Sequence, residues 1–190
     1  MNDETNEIDE LVRQCNKGNS GAQQQLYDRL ASKLFAICLR YAKDRDEAKD
    51  ILQDGFIRIF TKLKSFKFNG SFEGWAYRIV VNCAIERFRR TNLLYTVDEI
   101  RNYDTQLAAA DVLSQISYDE LLQMVHQLTP QYRTVFNLYA IEGYSHQEIG
   151  KMLNISENTS KSNLSRARGI LQEKVEQLYG KRRNNTEILN

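Results

Sequence analysis

The chain is poor in the residues that interrupt helices. Its 190 residues include one proline and nine glycines. Leu, Ala, Gln, Glu, Lys and Arg are plentiful, which favours an all-helical chain. No apolar run approaches the about 18 residues that a membrane span needs. The first residues, MNDETNEIDE, are acidic and polar, unlike a signal peptide. Cysteine is scarce: Cys15, Cys38 and Cys83 lie far apart in helical-looking segments. A disulfide framework is therefore not expected, and a reduced, cytoplasmic protein fits best. No pair among these cysteines and the two histidines, His126 and His146, has metal-ligand spacing. No nucleophile sits beside an evident base, and no glycine loop is built to cradle phosphate. The chain is thus expected to hold no metal or cofactor, to act on no small-molecule substrate, and to be no enzyme.

What is present is a segmented charge pattern beneath a net charge of only +1. Residues 1–57 carry eight Lys or Arg against eleven Asp or Glu, whereas residues 58–90 carry eight against two. Residues 91–130 reverse the sign with one against six, and residues 144–183 return to eight against four. Two basic blocks separated by an acidic one suggest two surfaces that meet a polyanion, with a segment between them that does not.

The first ninety residues read as four helices. IDELVRQCNK ends at Gly18, and SGAQQQLYDRLASKLFAICLRYAK follows with Ser20 as its N-cap. Asp44 or Asp46 caps a third helix that runs to about Lys64. After the loop FKFNG, a fourth runs from about Ser71 to Arg90. Residues 91–114 lack sustained periodicity and read as a flexible acidic linker. A second helical unit spans 115–183, followed by a short tail, 184–190. In that unit Thr129 and Pro130 open a helix that continues to Glu142, where Gly143 closes it. Ser145 with Glu148 forms a capping box for the next helix. Asn154 falls where left-handed geometry is tolerable, and Ser156 starts the last long helix. The expected architecture is all-α: two helical domains joined by a flexible linker, the second a helix-turn-helix.

On the last helix Leu164, Ala167, Leu171, Val175 and Leu178 share one stripe, while Ile149, Met152 and Leu153 supply the packing face of the helix before it. The opposite arc of the last helix carries Asn158, Lys161, Ser162, Ser165, Arg168 and Gly169, with Arg166 at its edge. Small residues allow close approach to a major groove, and Lys or Arg reach phosphates and guanine edges. Such a motif is also a common packing unit, but the basic arc at the helix N-terminus favours DNA.

The segment SFEGWAYRIVVNCAIERFRR is apolar round most of its wheel, as expected of a nearly fully buried helix. Arg78, Asn82, Glu86 and Arg89 form a narrow polar stripe along it. The stripe could be satisfied internally, by Arg78 with Asn82 and Glu86 with Arg89, or it could face a ligand. Phe66, Phe68 and Phe72 lie among Lys64 and Lys67 in the preceding loop. Aromatics interleaved with cations suit unstacked bases, although these rings could equally be core. On the helix before the loop, Ala48, Ile51, Phe56, Ile59 and Leu63 face inward. Asp50, Gln53, Asp54 and Thr61 lie opposite, and Ile57 lies among them, a hint of a protein partner with a basic rim.

Three stretches, AKDILQDGFIRIF, FEGWAYRIVVNCAIERFRR and LTPQYRTVFNLYAIEGYSHQEIGKMLNISENTSKSNLSRARGIL, together resemble the extracytoplasmic-function (ECF) sigma factors of the sigma-70 family. The resemblance covers about residues 20–175. It implies a subunit that binds bacterial RNA polymerase core and directs promoter-specific initiation. The first domain would meet the polymerase clamp through Asp50, Gln53, Asp54 and Ile57. It would meet the minus-10 element through Phe66, Lys67, Phe68, Phe72, Arg78, Asn82, Arg89 and Arg90. The second would meet minus-35 duplex DNA through Asn158, Lys161, Ser162, Ser165, Arg166 and Arg168. Trp75 would pack in the core. The resemblance also implies an anti-sigma factor as a partner. The chain departs from the family pattern at Glu86, where Asp is frequent, and near Asn158, where Gly is. The competing expectation is a stand-alone helix-turn-helix regulator, which accounts for residues 115–183 and leaves Ile57 and the polar stripe unexplained.

Overall fold

The computed structural model describes residues 2–92 and 117–187, and among them the fold is all-α. The chain divides into two units, residues 1–94 and 95–190. Of the acidic linker expected over 91–114, only Thr91 and Asn92 belong to the described residues.

The first unit is built from α1 (Asn2–Asn16), α2 (Ser20–Tyr41), α3 (Arg45–Lys62) and α4 (Phe72–Asn92), with a 3-10 turn, Leu63–Ser65, following α3. Two starts are set by side-chain caps. Asn19, not Ser20, caps α2 and accepts from the Ala22 amide at 3.1 Å. Asp44 caps α3, accepting from the Glu47 amide at 2.8 Å. The core is apolar: Leu26, Leu30, Ala48, Ile51, Phe56, Ile59, Ala76, Val80 and Val81 are all buried. Cys38 and Cys83 lie in it too, and burial pushes the Cys38 thiol up to about 12, leaving it protonated. α3 and α4 approach closely at Gly55, where an added Cβ would stand 2.8 Å from a methyl of buried Val80. The closeness of these two helices fixes how the outer faces of α3 and α4 are presented.

The second unit comprises α5 (Tyr118–His126), α6 (Pro130–Phe136), a π-helical turn (Asn137–Ile141), α7 (His146–Leu153) and α8 (Glu157–Glu187). Ser117 with Glu120 and Ser145 with Glu148 form capping boxes at the starts of α5 and α7, and Thr129 caps α6 ahead of Pro130. The helix expected to run from Gln131 to Glu142 changes to π geometry at Asn137. α8 passes through Gly180 to Glu187, so residues 184–187, expected as tail, are helical. Met124, Val125, Leu128, Ala167, Leu171 and Val175 form the core of α5 and α8, with Tyr132, Phe136, Ile170 and Leu178 packed against it. No helix among the described residues is long and apolar enough to cross a membrane.

Candidate nucleic-acid interface

The helix-turn-helix is held by three local features. Asn154 takes the left-handed conformation, φ 57° and ψ 47°, and ends α7. The Ile155 amide bonds back to the Gly150 carbonyl at 3.0 Å. A Cβ on Gly150 would stand 2.9 Å from the Ile155 carbonyl oxygen, so the turn can close this tightly only over glycine. Ile149 and Leu153 of α7 are buried, as are Leu164 and Ala167 of α8, so packing leaves the other arc of α8 outward. There Asn158, Lys161, Ser162 and Arg168 are exposed, and Ser165 and Arg166 are half-buried. Gly169, placed on this arc by the wheel, is buried.

The outward side chains of α8 are partly engaged with the protein itself. Lys161 pairs with Glu157 one turn earlier, at 2.7 Å. The Ser162 hydroxyl donates to the Thr159 carbonyl at 3.0 Å. The Arg168 guanidinium lies 5.5 Å from the centre of the Tyr139 ring. His146, at the start of α7, stacks on the same ring at 4.5 Å, and its Nδ1 is 2.9 Å from the hydroxyl of buried Ser160. Burial, with Lys161 nearby, holds the His146 pKa below its usual value.

In the first unit the geometry corrects two expectations. The aromatic loop does not offer free platforms: Phe72 is 1% and Phe66 8% exposed. Phe66 meets Phe68, Phe72 and Trp75 with ring centres 4.9, 5.1 and 5.6 Å apart. Rings so packed hold the loop rather than wait for a base, and half-buried Trp75 packs with them. Phe68 is half-buried and adopts φ 56°, unusual for a bulky side chain. The Arg13 guanidinium lies 4.9 Å from its ring centre. Lys67 is exposed beside it.

The second correction concerns α4, which is not buried nearly all round. Arg78, Asn82, Arg89 and Arg90 are exposed, whereas Glu86 is half-buried. Glu86 accepts two hydrogen bonds from Arg58 of α3, at 2.8 and 2.6 Å, instead of pairing with Arg89. Arg58 holds the Glu86 carboxyl below its usual pKa. Sequence periodicity assigned Glu86 to a stripe on its own helix, and a partner 28 residues away carries no periodic signal.

On α3, Gln53, Asp54 and Ile57 are exposed, with Ile57 57% accessible. Asp50 is exposed but bonded to Arg87 at 2.9 Å, an arginine that also reaches Glu47 at 3.2 Å. These contacts tie the start of α3 to α4 and leave Gln53, Asp54 and Ile57 as a mixed polar and apolar face.

One helical unit thus carries a helix-turn-helix, and the other an exposed apolar residue beside carboxylates and exposed arginines. Comparison with known proteins defines the class. Residues 26–93 match the family described as Sigma-70 region 2, and residues 118–171 match that described as Sigma-70, region 4. The chain is 31% identical over 183 residues to the ECF RNA polymerase sigma factor SigW of Bacillus subtilis, covering 90% of this chain and 98% of that protein. It is 27% identical to the ECF RNA polymerase sigma-E factor of Haemophilus influenzae, over 88% of this chain and 95% of that one. The sigma factor RpoE of Bartonella quintana, solved in complex with the anti-sigma factor NepR, is 19% identical over 80% of this chain and 96% of that chain, with a TM-score of 0.48. The chain belongs to the ECF sigma factors of the sigma-70 family. It binds bacterial RNA polymerase core and directs promoter-specific initiation of transcription.

Proposed function

We propose that this sigma factor divides its contacts among three surfaces. Gln53, Asp54 and Ile57, with Asp50 at the edge, dock on the polymerase clamp. Lys67, Phe68, Arg78, Asn82, Arg89 and Arg90 meet the minus-10 element, with buried Phe66 and Phe72 shaping the loop from beneath. Asn158, Lys161, Ser162, Ser165, Arg166 and Arg168 of α8 meet the minus-35 duplex. Residues 1–90 would then form the polymerase and minus-10 domain, 91–114 the linker, and 115–183 the minus-35 domain.

The observation that carries this reading is the two-sidedness of α8. Its apolar stripe is consumed by the core, and its small and basic residues face outward behind a closed helix-turn-helix. A stand-alone regulator would use the same helix, but it would have no need of the Ile57 face or of the arginines on α4. The protein performs no covalent chemistry on this reading; its binding energy offsets the few kcal/mol needed to extrude bases. Its place of work is the cytoplasm, with promoter DNA and polymerase, and an anti-sigma factor is its expected regulator.

The test is run-off transcription by sigma-free bacterial core polymerase on a library of promoter fragments. Initiation that depends on added protein supports the reading, and duplex binding without initiation refutes it. Within that assay Ile57→Glu should impair core binding, and undiminished core affinity would remove Ile57 from the docking face. Arg166→Ala should weaken recognition of the upstream element by about 1–3 kcal/mol if it reads a base. A change only in salt dependence would reduce its role to a phosphate contact.

A further inference from the structure

The π turn ahead of α7 performs a task that the assignment of α8 leaves unexplained. A π turn inserts a residue into a helix and resets the direction of the side chains it carries. Here Asn137 and Leu138 are fully buried, while Tyr139, the next residue, lies beside the start of α7 and the outer arc of α8. One ring meets two groups: the Arg168 guanidinium at 5.5 Å and the His146 imidazole at 4.5 Å, with rings 20° from parallel. His146 is itself tied to α8 through Ser160, at 2.9 Å. Arg168 is exposed and on a long side chain, so the tyrosine face restricts its movement.

We propose that Tyr139 is a positioning residue for promoter recognition: it pre-orients Arg168 for the minus-35 duplex, and its stack on His146 keeps the ring in place. The inference rests on the reading that Arg168 faces that duplex. Holding the guanidinium before DNA arrives lowers the ordering cost of binding, which is how a residue without DNA contact can change discrimination.

The experiment uses holoenzyme assembled from the full chain and core polymerase. The probes are a promoter fragment selected from a random pool and the same fragment with its upstream element scrambled. The readout is the ratio of the two affinities, which does not depend on the fraction of correctly folded protein. Arg168→Ala should reduce the ratio about tenfold. Tyr139→Leu should reduce it about fivefold, and Tyr139→Phe, which keeps the ring, should stay within about twofold. In an Arg168→Ala background Tyr139→Leu should cause no further loss. If the leucine variant does not assemble, Tyr139→Met provides the same comparison.

An undiminished ratio for Tyr139→Leu, or a loss that persists without Arg168, overturns the positioning role while leaving Arg168 as a DNA contact. If Arg168→Ala itself leaves the ratio unchanged, the duplex-facing reading fails and this inference fails with it.

Discussion

The two helical units solve the same packing problem with different materials. The first has an apolar core and ties its helices together through ion pairs distant in sequence: Arg58 with Glu86, Arg87 with Glu47 and Asp50, and Lys33 with Glu73. In the second, polar groups enter the core. Among the described residues the buried polar or charged side chains, Arg133, Thr134, Asn137, Ser160 and Asn163, all lie there. Its helices are shorter apart from α8, and side-chain caps set the starts of α5, α6 and α7, with capping boxes at α5 and α7. An apolar core tolerates small shifts of helix against helix. Pairs such as buried Arg133 with His126 and buried Ser160 with His146 do not, because a displaced partner leaves an unsatisfied group. The unit that presents the outward arc of α8 is thus the one with polar groups in its interior, whereas the other rests on apolar area.

The sharpest way to break this contrast is to damage one unit and watch the other. Phe72→Ala removes a ring buried among Phe66 and Trp75 and should destabilise the first unit by about 3–5 kcal/mol. Trp75 is the single tryptophan and lies in that unit, so its fluorescence during urea unfolding follows the loss. Amide protection across 146–168 should be unchanged. Gly150→Ala is the converse. Its Cβ would meet backbone at 2.9 Å and should cost about 1–3 kcal/mol. Amide exchange over 146–168 should accelerate while the Trp75 transition stays in place. Equal response of both units to either change would mean that they unfold as one body.

Smaller perturbations sharpen the contrast. Glu86→Gln removes the charge from a pair whose side chains are 32% and 43% exposed, so the loss should be only about 1 kcal/mol. It should appear in the Trp75 transition. Mild acid should act on the second unit instead, because both histidines lie there. His126 and His146 are held below the ordinary value of 6.5 chiefly by burial, with Arg133 acting on the first and Lys161 on the second. A histidine with a depressed folded-state pKa takes up its proton more readily when unfolded. Its contribution is full above pH 6.5 and is lost as pH falls through the lowered folded value. The second unit should therefore be less stable at pH 5.5 than at pH 7, a loss that His126→Gln reduces. Amide exchange at the two pH values, corrected for intrinsic rates, would show it. The Glu86 pair, whose carboxyl is lowered from 4.5, responds only in more acidic solution.

Much of the architecture was legible in the sequence because it is local. The caps at Asp44, Thr129 and Ser145, the left-handed Asn154 and the inward stripes of α3 and α8 each depend on residues a few positions apart. Periodicity and capping preference report such spacings directly. The outward arc of α8 followed from its inward one, and the exposure of Ile57 from the burial of its neighbours. The boundary at Asn19 was missed because two good capping residues stand side by side.

What the sequence determined by itself was which segments are helical, which face of α3 and α8 turns inward, and, through its motifs, the family. Tertiary structure alone decided the partners. It packed Phe66 against Phe72 and Trp75, gave Glu86 to Arg58 rather than Arg89, pressed Gly55 onto Val80, and turned Tyr139 toward His146 and Arg168. Each of these contacts joins residues from different elements. Helical periodicity runs along one helix and is silent about what lies across from it, so such partners are chosen only when the helices pack.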